Sequence, residues 1–472
     1  MPVLKEAGRT LGAGGAMKAR WCRTMPIPAR WAAGALMLLF AAVLSGWSQS
    51  GSLQRVIAVR AVHVAGSAPS AWSASELIPA REPGTGPPRP PAFDANGDAV
   101  VVWGESTVSI NQVITLAYPV RAAVRPADGH WQPADTLSSL GLAPEVAVDA
   151  PGDAIAVWET FSGVQAAIRP AGSSWLASQA VATPGGEEPQ VASDPRGDAV
   201  VVSPRQVPGH STGIQAVLRP AGGTFSPAQT ISGGENAFHP RIAMNTRGDT
   251  LVAWEVDTSR GCPVRAALRR ADGRWSAPRT VSDGHGFCGG THRVAIDERG
   301  DAIVVWLAQR GPTMFVEAAT KVANGRWTPR HVIARAPVIE DRVQVGMDAR
   351  GDALALWSEP ALVGGRTTIW ARIRPAGRGW EAARTIPHAN GGPPSLAMDA
   401  RGDALVAWQD KRRIEAAARP AGGHWRRAFT VSRHEPTFPQ DPLAALDARG
   451  DGLVVWQNHE GIKTAWHSSL FP

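Results

Sequence analysis

After residue 50 the sequence has no segment with the 3.6-residue apolar periodicity of an amphipathic helix. Its 50 Gly and 39 Pro are too dispersed for collagen, and 44% hydrophobic residues are too many for a generally disordered chain. These absences argue against helical, fibrous and disordered proteins. They leave a globular protein with many turns, built largely from strands.

Blocks of Lys and Arg are also missing from residues 51–472. The formal net charge is +7, but six cations and one acid lie in residues 1–50, so the rest of the chain carries about +2. A protein that binds nucleic acid needs a basic stripe to neutralise phosphates, and none is visible. We therefore expect no nucleic-acid partner. Only five of the 48 cations are Lys, a bias typical of a GC-rich genome.

The first 50 residues have the pattern of a secretory signal peptide. Residues 32–45 form an uncharged apolar run, preceded by Arg20, Arg23 and Arg30 and followed by small residues. The run is shorter than the roughly 20 residues that cross a bilayer. We expect an exported chain, secreted or at the cell surface, with the leader cleaved. The alternative is an uncleaved leader, which would be the chain's only attachment to a membrane.

One unit recurs from residue 94 to the end of the chain. Its first half reads Asp-x-x-Gly-Asp, followed by an alternating apolar run that ends in Trp. The opening residues are Asp94, Asp149, Asp194, Asn245, Asp297, Asp348, Asp399 and Asp447. The Trp residues, nine positions later, are Trp103, Trp158, Trp254, Trp306, Trp357, Trp408 and Trp456, with Ser203 in the third copy.

The second half of the unit reads Arg-Pro-Ala-Gly, then an aromatic residue, then an apolar residue six positions further on. The aromatics are Trp131, Trp175, Phe225, Trp275, Trp327, Trp380 and Trp425. An eighth copy of this spacing, Trp72 to Ile78, stands before the first opening residue. Early and late residues therefore each supply part of one unit, as in a closed ring.

Four-stranded units of about 40–50 residues arranged in a ring are typical of a β-propeller. The sequence predicts an all-β propeller of eight blades, or seven if the third unit is distorted. Residues 51–92 are expected to hold the N-terminal strand of the closing blade and a Pro-rich linker, and residues 93–472 the propeller. Because Ser203 and Phe225 replace Trp, the third blade is expected to be the weakest.

The segment Trp275 to Ser282 (Trp-Ser-Ala-Pro-Arg-Thr-Val-Ser), preceded by Ala-Asp-Gly-Arg, resembles the repeats of bacterial neuraminidases, the Asp-box type of propeller. Asp128 and Asp272 keep an acid in the turn, whereas most copies have Gly or Ala, so the Asp-boxes are degenerate. The resemblance implies a sialidase-like propeller fold. It says little about activity, because one fold hosts many functions.

The repeated Trp, Asp and Arg residues are interpreted as structural. Tryptophans at a fixed point of every unit suit packing between blades, where each buries up to about 250 Å². The repeated Asp and Arg belong to turns that emerge on one face. A carboxylate that clamps turns in every blade explains them without a ligand, since catalytic residues are seldom repeated eightfold.

The opposite face carries loops of varied length and content, as binding loops do. Acids that closely follow the Trp, or its counterpart, are the candidate binding residues: Glu105, Glu159, Glu255, Glu359 and Asp410. Seven histidines lie in these loops: His210, His239, His285, His292, His388, His434 and His459. None has the spacing of a metal-ligand motif, so no metal or other cofactor is expected.

Catalytic signatures are missing as well. A sialidase would need a Tyr nucleophile, and Tyr118, the single Tyr, has no Glu or Arg motif nearby. Phosphate-loop and zinc-protease motifs are absent. The sequence favours a non-enzymatic, monomeric binding or scaffold module for a protein or glycan. The alternative is a sialidase-like hydrolase or lyase, whose paired carboxylates would meet at the channel mouth.

Cys262 and Cys288 are the two cysteines outside the leader, and an exported protein is where disulfides persist. Cys262 is expected between the second and third strands of the fourth blade. Cys288 is expected in the connection to the fifth. Both loops should emerge on one face, so the sequence predicts a disulfide, worth about 3–4 kcal/mol in the chain-entropy model.

Overall fold

The structure, a computed structural model, describes twelve stretches of the chain: residues 72–79, 87–105, 107–111, 113–183, 185–205, 212–271, 273–284, 288–340, 342–361, 367–432, 435 and 439–471. The leader, most of residues 51–92, Asp272, His210, His285 and His434 lie outside the described residues. The described residues contain strands and turns but no helix, and so no helix able to cross a membrane.

The described part of the chain forms 34 strands. In chain order they are β1 (Glu76–Leu77), β2 (Ala92–Phe93), β3 (Ala99–Gly104), β4 (Thr107–Asn111), β5 (Val113–Ala117), β6 (Val120–Arg125), β7 (Asp135–Ser138), β8 (Leu142–Val148), β9 (Ala154–Thr160), β10 (Gly163–Arg169), β11 (Gln179–Ala182), β12 (Gln190–Ser193), β13 (Ala199–Arg205), β14 (Gly213–Arg219), β15 (Gln229–Thr230), β16 (Ala237–Met244), β17 (Thr250–Val256), β18 (Val264–Arg269), β19 (Arg279–Thr280), β20 (Arg293–Ile296), β21 (Ala302–Arg310), β22 (Thr313–Lys321), β23 (His331–Ala336), β24 (Gln344–Met347), β25 (Ala353–Glu359), β26 (Thr368–Arg374), β27 (Arg384–Asn390), β28 (Ser395–Met398), β29 (Ala404–Asp410), β30 (Arg413–Arg419), β31 (Phe429–Thr430), β32 (Gln440–Leu446), β33 (Gly452–Asn458) and β34 (Gly461–His467).

These strands make eight four-stranded antiparallel sheets, the blades of a β-propeller, as predicted. Blade 1 is β2-β3-β6-β7, with the hairpin β4-β5 inserted between its second and third strands. Blades 2 to 7 each take four consecutive strands, from β8-β11 to β28-β31. The first strand of each blade lines the central channel. The eight-blade count is therefore confirmed, and the seven-blade alternative is wrong.

Blade 8 closes the ring with strands from both ends of the described chain, as predicted. It consists of β32, β33 and β34, with β1 paired to β34 through Glu76 opposite Thr464 and Leu77 opposite Lys463. The backbone N–H of Ile78 donates to the Ile462 carbonyl at 2.9 Å. The N-terminal strand thus completes the last blade.

The repeated aspartates clamp turns together in all eight blades. The second Asp of each Asp-x-x-Gly-Asp turn accepts the backbone N–H of a residue in the turn that follows the third strand; Asp153, for example, accepts from Ala171 at 2.8 Å. The other seven carboxylates that make this bond are Asp98, Asp198, Asp249, Asp301, Asp352, Asp403 and Asp451. This confirms the structural interpretation of these aspartates.

The repeated tryptophans pack between blades, also as predicted. Trp158 of blade 2, for example, lies among Val100, Val102 and Val120 of blade 1 and is fully buried. The other six Trp residues of the first half-repeat lie in equivalent inter-blade cores. The core between blades 2 and 3 has no such Trp, because Ser203 replaces it.

Candidate functional site

A cavity of about 490 Å³ lies at one mouth of the central channel. It is at the start of the channel-lining strands, on the face opposite the Asp-x-x-Gly-Asp turns. Every blade contributes to its wall with the residue four positions before the opening residue of the repeat. These residues are Pro90, Glu145, Gln190, Arg241, Arg293, Gln344, Ser395 and Leu443. The same structural position therefore carries six residue types in the eight blades.

Backbone strain is concentrated at this mouth. Four residues other than Gly have positive φ two positions earlier in the repeat: Ala143 (46°), Glu188 (47°), His239 (51°) and Asp441 (47°). Each precedes a proline, and three of them sit in irregularities of strand pairing. Such conformations cost about 1–3 kcal/mol and persist where the surroundings impose them, often at binding sites.

Four arginines and three carboxylates line the mouth. Arg89 lies 3.6 Å from Glu145, Arg241 lies 3.8 Å from Glu188, and Arg342 lies 2.8 Å from Asp441. Each of these arginines thus has an acidic neighbour contributed by another blade. The arginine left over is Arg293.

Arg293 is held by backbone carbonyls. Its Nη1 donates to the carbonyls of Gly290 at 2.9 Å and His292 at 2.8 Å, and the described residues place no carboxylate within 4.0 Å of it. Burial and the positive charges of Arg241 and Arg342 lower the pKa of Arg293 to about 9. Arginine stays charged at neutral pH even so. The mouth therefore holds a cation whose charge the protein compensates poorly.

Glu145 is the most deeply set carboxylate of the mouth. Burial raises the pKa of Glu145, against the charges of Arg89 and Arg241 and the hydrogen bond that Gln190 Nε2 donates at 3.2 Å. A carboxylic acid whose pKa is raised by burial is a candidate for proton transfer. Glu145 is thus the one mouth residue with acid–base potential on electrostatic grounds.

Glu255, one of the five acids singled out in the sequence, lies directly behind the mouth. Its buried carboxylate accepts the backbone N–H groups of Gly289 at 3.1 Å and Gly290 at 3.0 Å, and contacts His239 Nδ1 and His292 Nδ1. Burial alone would raise the pKa of Glu255, but the hydrogen bonds and charges of the two histidines hold it well below its usual range.

The disulfide lies beside this network. Cys262 and Cys288 are bonded, with their Cα atoms 5.2 Å apart, and Cys262 is fully buried. Cys262 lies between β17 and β18, and Cys288 lies in the connection from blade 4 to blade 5. The bond therefore anchors the segment that runs from Cys288 to His292 and leads into Arg293.

The other four acids take part in contacts within the protein. Glu105 accepts Trp103 Nε1 at 3.3 Å and Arg121 Nε at 3.0 Å, and Glu359 accepts Trp357 Nε1 at 2.8 Å. Glu159 accepts the backbone N–H of Glu188 at 3.3 Å, and Asp410 is half-buried at the end of β29. The described cavity wall includes none of the five, which lie in five different blades. Their role in ligand binding stays a prediction.

The mouth residues themselves were missed in the sequence. One position in the repeat could have indicated them. Four residues before the opening residue, the repeats carry Glu, Gln, Arg or Ser in several copies, although the strand around this position is otherwise built from small and apolar residues. Of the histidines predicted to lie in loops, His239 and His292 lie next to this site. The loop prediction is wrong for His239, which lies within β16, and for His388, which lies within β27. The described residues contain no cluster of three or more His, Cys, Asp or Glu residues able to hold a metal.

No family model matches the sequence, and no curated protein matches it. Solved structures with a similar fold include an ulvan lyase of a polysaccharide lyase family, 12% identical, covering 82% of this chain and 94% of that chain with a TM-score of 0.45. A Hadza microbial sialidase is 12% identical and covers 85% and 94%, with a TM-score of 0.38. The propeller of Dos1 is 9% identical and covers 77% and 96%, with a TM-score of 0.44. These likenesses do not identify an activity or a ligand.

Proposed function

We propose that this protein is an exported, non-enzymatic binding module that takes the acidic end of a glycan into the mouth of its central channel. The observation that carries the proposal is Arg293, a poorly compensated cation in the cavity wall, with Arg241 and Arg342 as positive neighbours. A carboxylate or sulfate on the ligand would supply the missing negative charge. Guanidinium groups bind such anions with two parallel hydrogen bonds.

The rest of the cavity wall suits a sugar better than a peptide segment. Gln190, Gln344 and Ser395 offer amide and hydroxyl groups that can both donate to and accept from sugar hydroxyls. A volume of about 490 Å³ is in the range of pockets that bind small ligands, and matches the end of a chain rather than a broad protein surface. Among the described residues of the wall there is no aromatic side chain for stacking, so charge would supply most of the recognition.

The test compares trigalacturonate with its methyl ester, which keeps the sugar and removes the charge. We expect calorimetry to show binding of the acid and little binding of the ester. Arg293→Ala should weaken binding by roughly 10- to 150-fold, the value of a hydrogen bond to a charged group. The control, Arg350→Ala, removes one positive charge from the opposite face and should leave the affinity unchanged. Equal binding of acid and ester, or an unchanged Arg293→Ala protein, would reject the proposal.

Glycan cleavage at the same mouth is a second candidate function, and the raised pKa of Glu145 is the observation that favours it. A general acid of this kind could protonate a glycosidic oxygen. Incubation with polygalacturonate and with sialyllactose would reveal it through new reducing ends, unsaturated products or free sialic acid. Turnover by the wild type that is lost in Glu145→Gln would replace the non-enzymatic proposal. If polygalacturonate and sialyllactose both remain intact, cleavage of these two compounds is rejected.

A further inference from the structure

The orientation of Arg293 depends on the segment that precedes it. Its two hydrogen bonds to the carbonyls of Gly290 and His292 both use Nη1. As far as the described residues go, the Nε and Nη2 edge of the guanidinium remains available for a ligand. A shift of either carbonyl would turn that edge relative to the channel. The segment from Cys288 to His292 therefore sets where the cation points.

Glu255 fixes that segment from behind. Its carboxylate accepts two successive backbone N–H groups, those of Gly289 and Gly290, and it is about 1% exposed. On its other side the carboxylate contacts His292 Nδ1 at 3.3 Å, while His292 Nε2 donates to the Ala253 carbonyl at 3.2 Å. The segment is thus tied to β17 at three residues, in addition to the disulfide at its start.

Gly290 is confined tightly between Glu255 and the channel. It has a φ of +68°, and a Cβ added there would lie 3.2 Å from Arg241 Nη2 and 3.3 Å from His239 Cγ. Gly290 therefore lies close to Arg241, and its carbonyl accepts a hydrogen bond from Arg293. Two arginines of the mouth lie near one glycine, and Glu255 holds that glycine.

Blade 2 repeats the arrangement seen in blade 4. Glu159, which follows Trp158 as Glu255 follows Trp254, accepts the backbone N–H of Glu188 in the connection to the next blade. Glu188 in turn lines the mouth and lies 3.8 Å from Arg241. In blades 2 and 4 an acid after the Trp, although outside the cavity wall, holds a segment that enters it.

We infer that Glu255 is a positioning residue of the saccharide site, which holds Gly289 and Gly290 so that the Gly290 and His292 carbonyls orient Arg293 toward the acidic group of the ligand. The inference rests on the proposed function. It assigns Glu255 an effect on affinity without contact with the ligand. It also explains why a buried acid accepts backbone N–H groups at this point of the ring.

The test measures trigalacturonate binding to Glu255→Gln by calorimetry. The amide has no negative charge, and its NH₂ group replaces one accepting oxygen opposite a Gly N–H and an imidazole, so we expect affinity to fall about tenfold or more. In an Arg293→Lys background, which keeps the charge but loses the guanidinium, Glu255→Gln should change affinity less than twofold further, because the two residues act through one path. Glu317→Gln, which alters an equally buried, ion-paired acid of blade 5, should lower the melting temperature and leave affinity unchanged.

The inference would be overturned if Glu255→Gln left the affinity unchanged. It would also be overturned if Glu255→Gln lowered the affinity as much in the Arg293→Lys background as in the wild type. In either case the proposed function would still stand if Arg293→Ala weakened binding. If the wild type does not distinguish trigalacturonate from its ester, it is the proposed function that fails. Should Glu255→Gln not fold, Gly290→Ala replaces it. That variant perturbs the same carbonyl from a strained position, and its loss of affinity should likewise vanish in the Arg293→Lys background.

Discussion

Glu255 shows how one buried carboxylate is kept charged. Removing it from water favours its neutral form, but two backbone N–H groups donate to it and the rings of His239 and His292 contact it. The contact with Glu255 and the charge of Glu188 raise the pKa of His239 in spite of its burial, whereas burial lowers the pKa of the fully enclosed His292. The three groups therefore titrate as a set, with the carboxylate ionised throughout the neutral range.

This network predicts a defined acid sensitivity. The pKa of Glu255 is lower in the folded chain than its usual value of 4.5, so its contribution to the free energy of unfolding is present above about pH 4.5 and is lost as the pH falls below it. We expect Glu255→Gln to melt at a lower temperature than the wild type at pH 6, and the difference to shrink between pH 5 and pH 3. Thermal unfolding followed by circular dichroism measures this. A difference that widens on acidification would contradict the prediction.

The roles of residues that recur in every repeat could be predicted from the sequence, whereas the roles of residues that do not recur could not. The clamping aspartates and inter-blade tryptophans recur at fixed spacing because every blade solves the same packing problem. Arg293 and Glu145 stand at a repeat position whose residue type varies from blade to blade, and they come together only when the first strands of different blades meet around the channel. Among the 43 arginines no local pattern marks the four at the mouth. Glu255 was visible as an acid after a Trp, but its partners lie 16 to 37 residues away.

Blade 3 is the element in which the inter-blade Trp is missing. Where other blades insert a Trp, Ser203 makes a hydrogen bond with Gln215 Nε2 at 3.2 Å. The backbone nearby packs closely on blade 2, since a Cβ on Gly186 would lie 2.5 Å from Val164 Cγ2. Sequence alone revealed the missing Trp but not these contacts, which join residues of different segments.

The third blade should still be the least protected, because a glycine contact buries far less apolar area than an indole. We expect backbone amides of β12 to β14 to exchange hydrogen faster than the equivalent amides of β28 to β30 in blade 7, which has its Trp. The loss of inter-blade packing should amount to a few kcal/mol. Hydrogen exchange read by mass spectrometry decides this, and uniform protection of the two blades would refute it.

At the scale of the whole molecule, closure depends on a short segment. β1 has two residues, yet Trp72 stacks on Phe429 of blade 7 at 5.7 Å, Ile78 is buried in the core between blades 8 and 1, and Trp131 of blade 1 donates to Thr464 of β34 at 2.8 Å. Blade 8 is therefore joined to both of its neighbours through residues of the N-terminal part. Without this segment β34 would be an open sheet edge.

Ile78 and Leu77 form a matched pair for testing the closure. Ile78 is about 2% exposed and Leu77 is 43% exposed, although they are adjacent in the same segment. Ile78→Ala should lower the free energy of unfolding by about 2–4 kcal/mol, whereas Leu77→Ala should change it by less than about 1 kcal/mol. Urea unfolding of both variants provides the measurement. Similar losses in the two proteins would mean that the segment does not seal the ring through its buried face.

The shared blade also sets the order of events during synthesis. Trp466 donates its N–H to Ser73 Oγ across 393 residues of chain. At about 5–20 residues per second, the N-terminal strand waits roughly 20–80 s for its partner. The blades between these two segments consist of consecutive strands, which can pair as soon as they are synthesised. The ring cannot close until β34, residues 461–467, has been synthesised. A chain released a few dozen residues early would keep most of its blades and leave two unpaired strand edges, the kind of surface on which separate chains join.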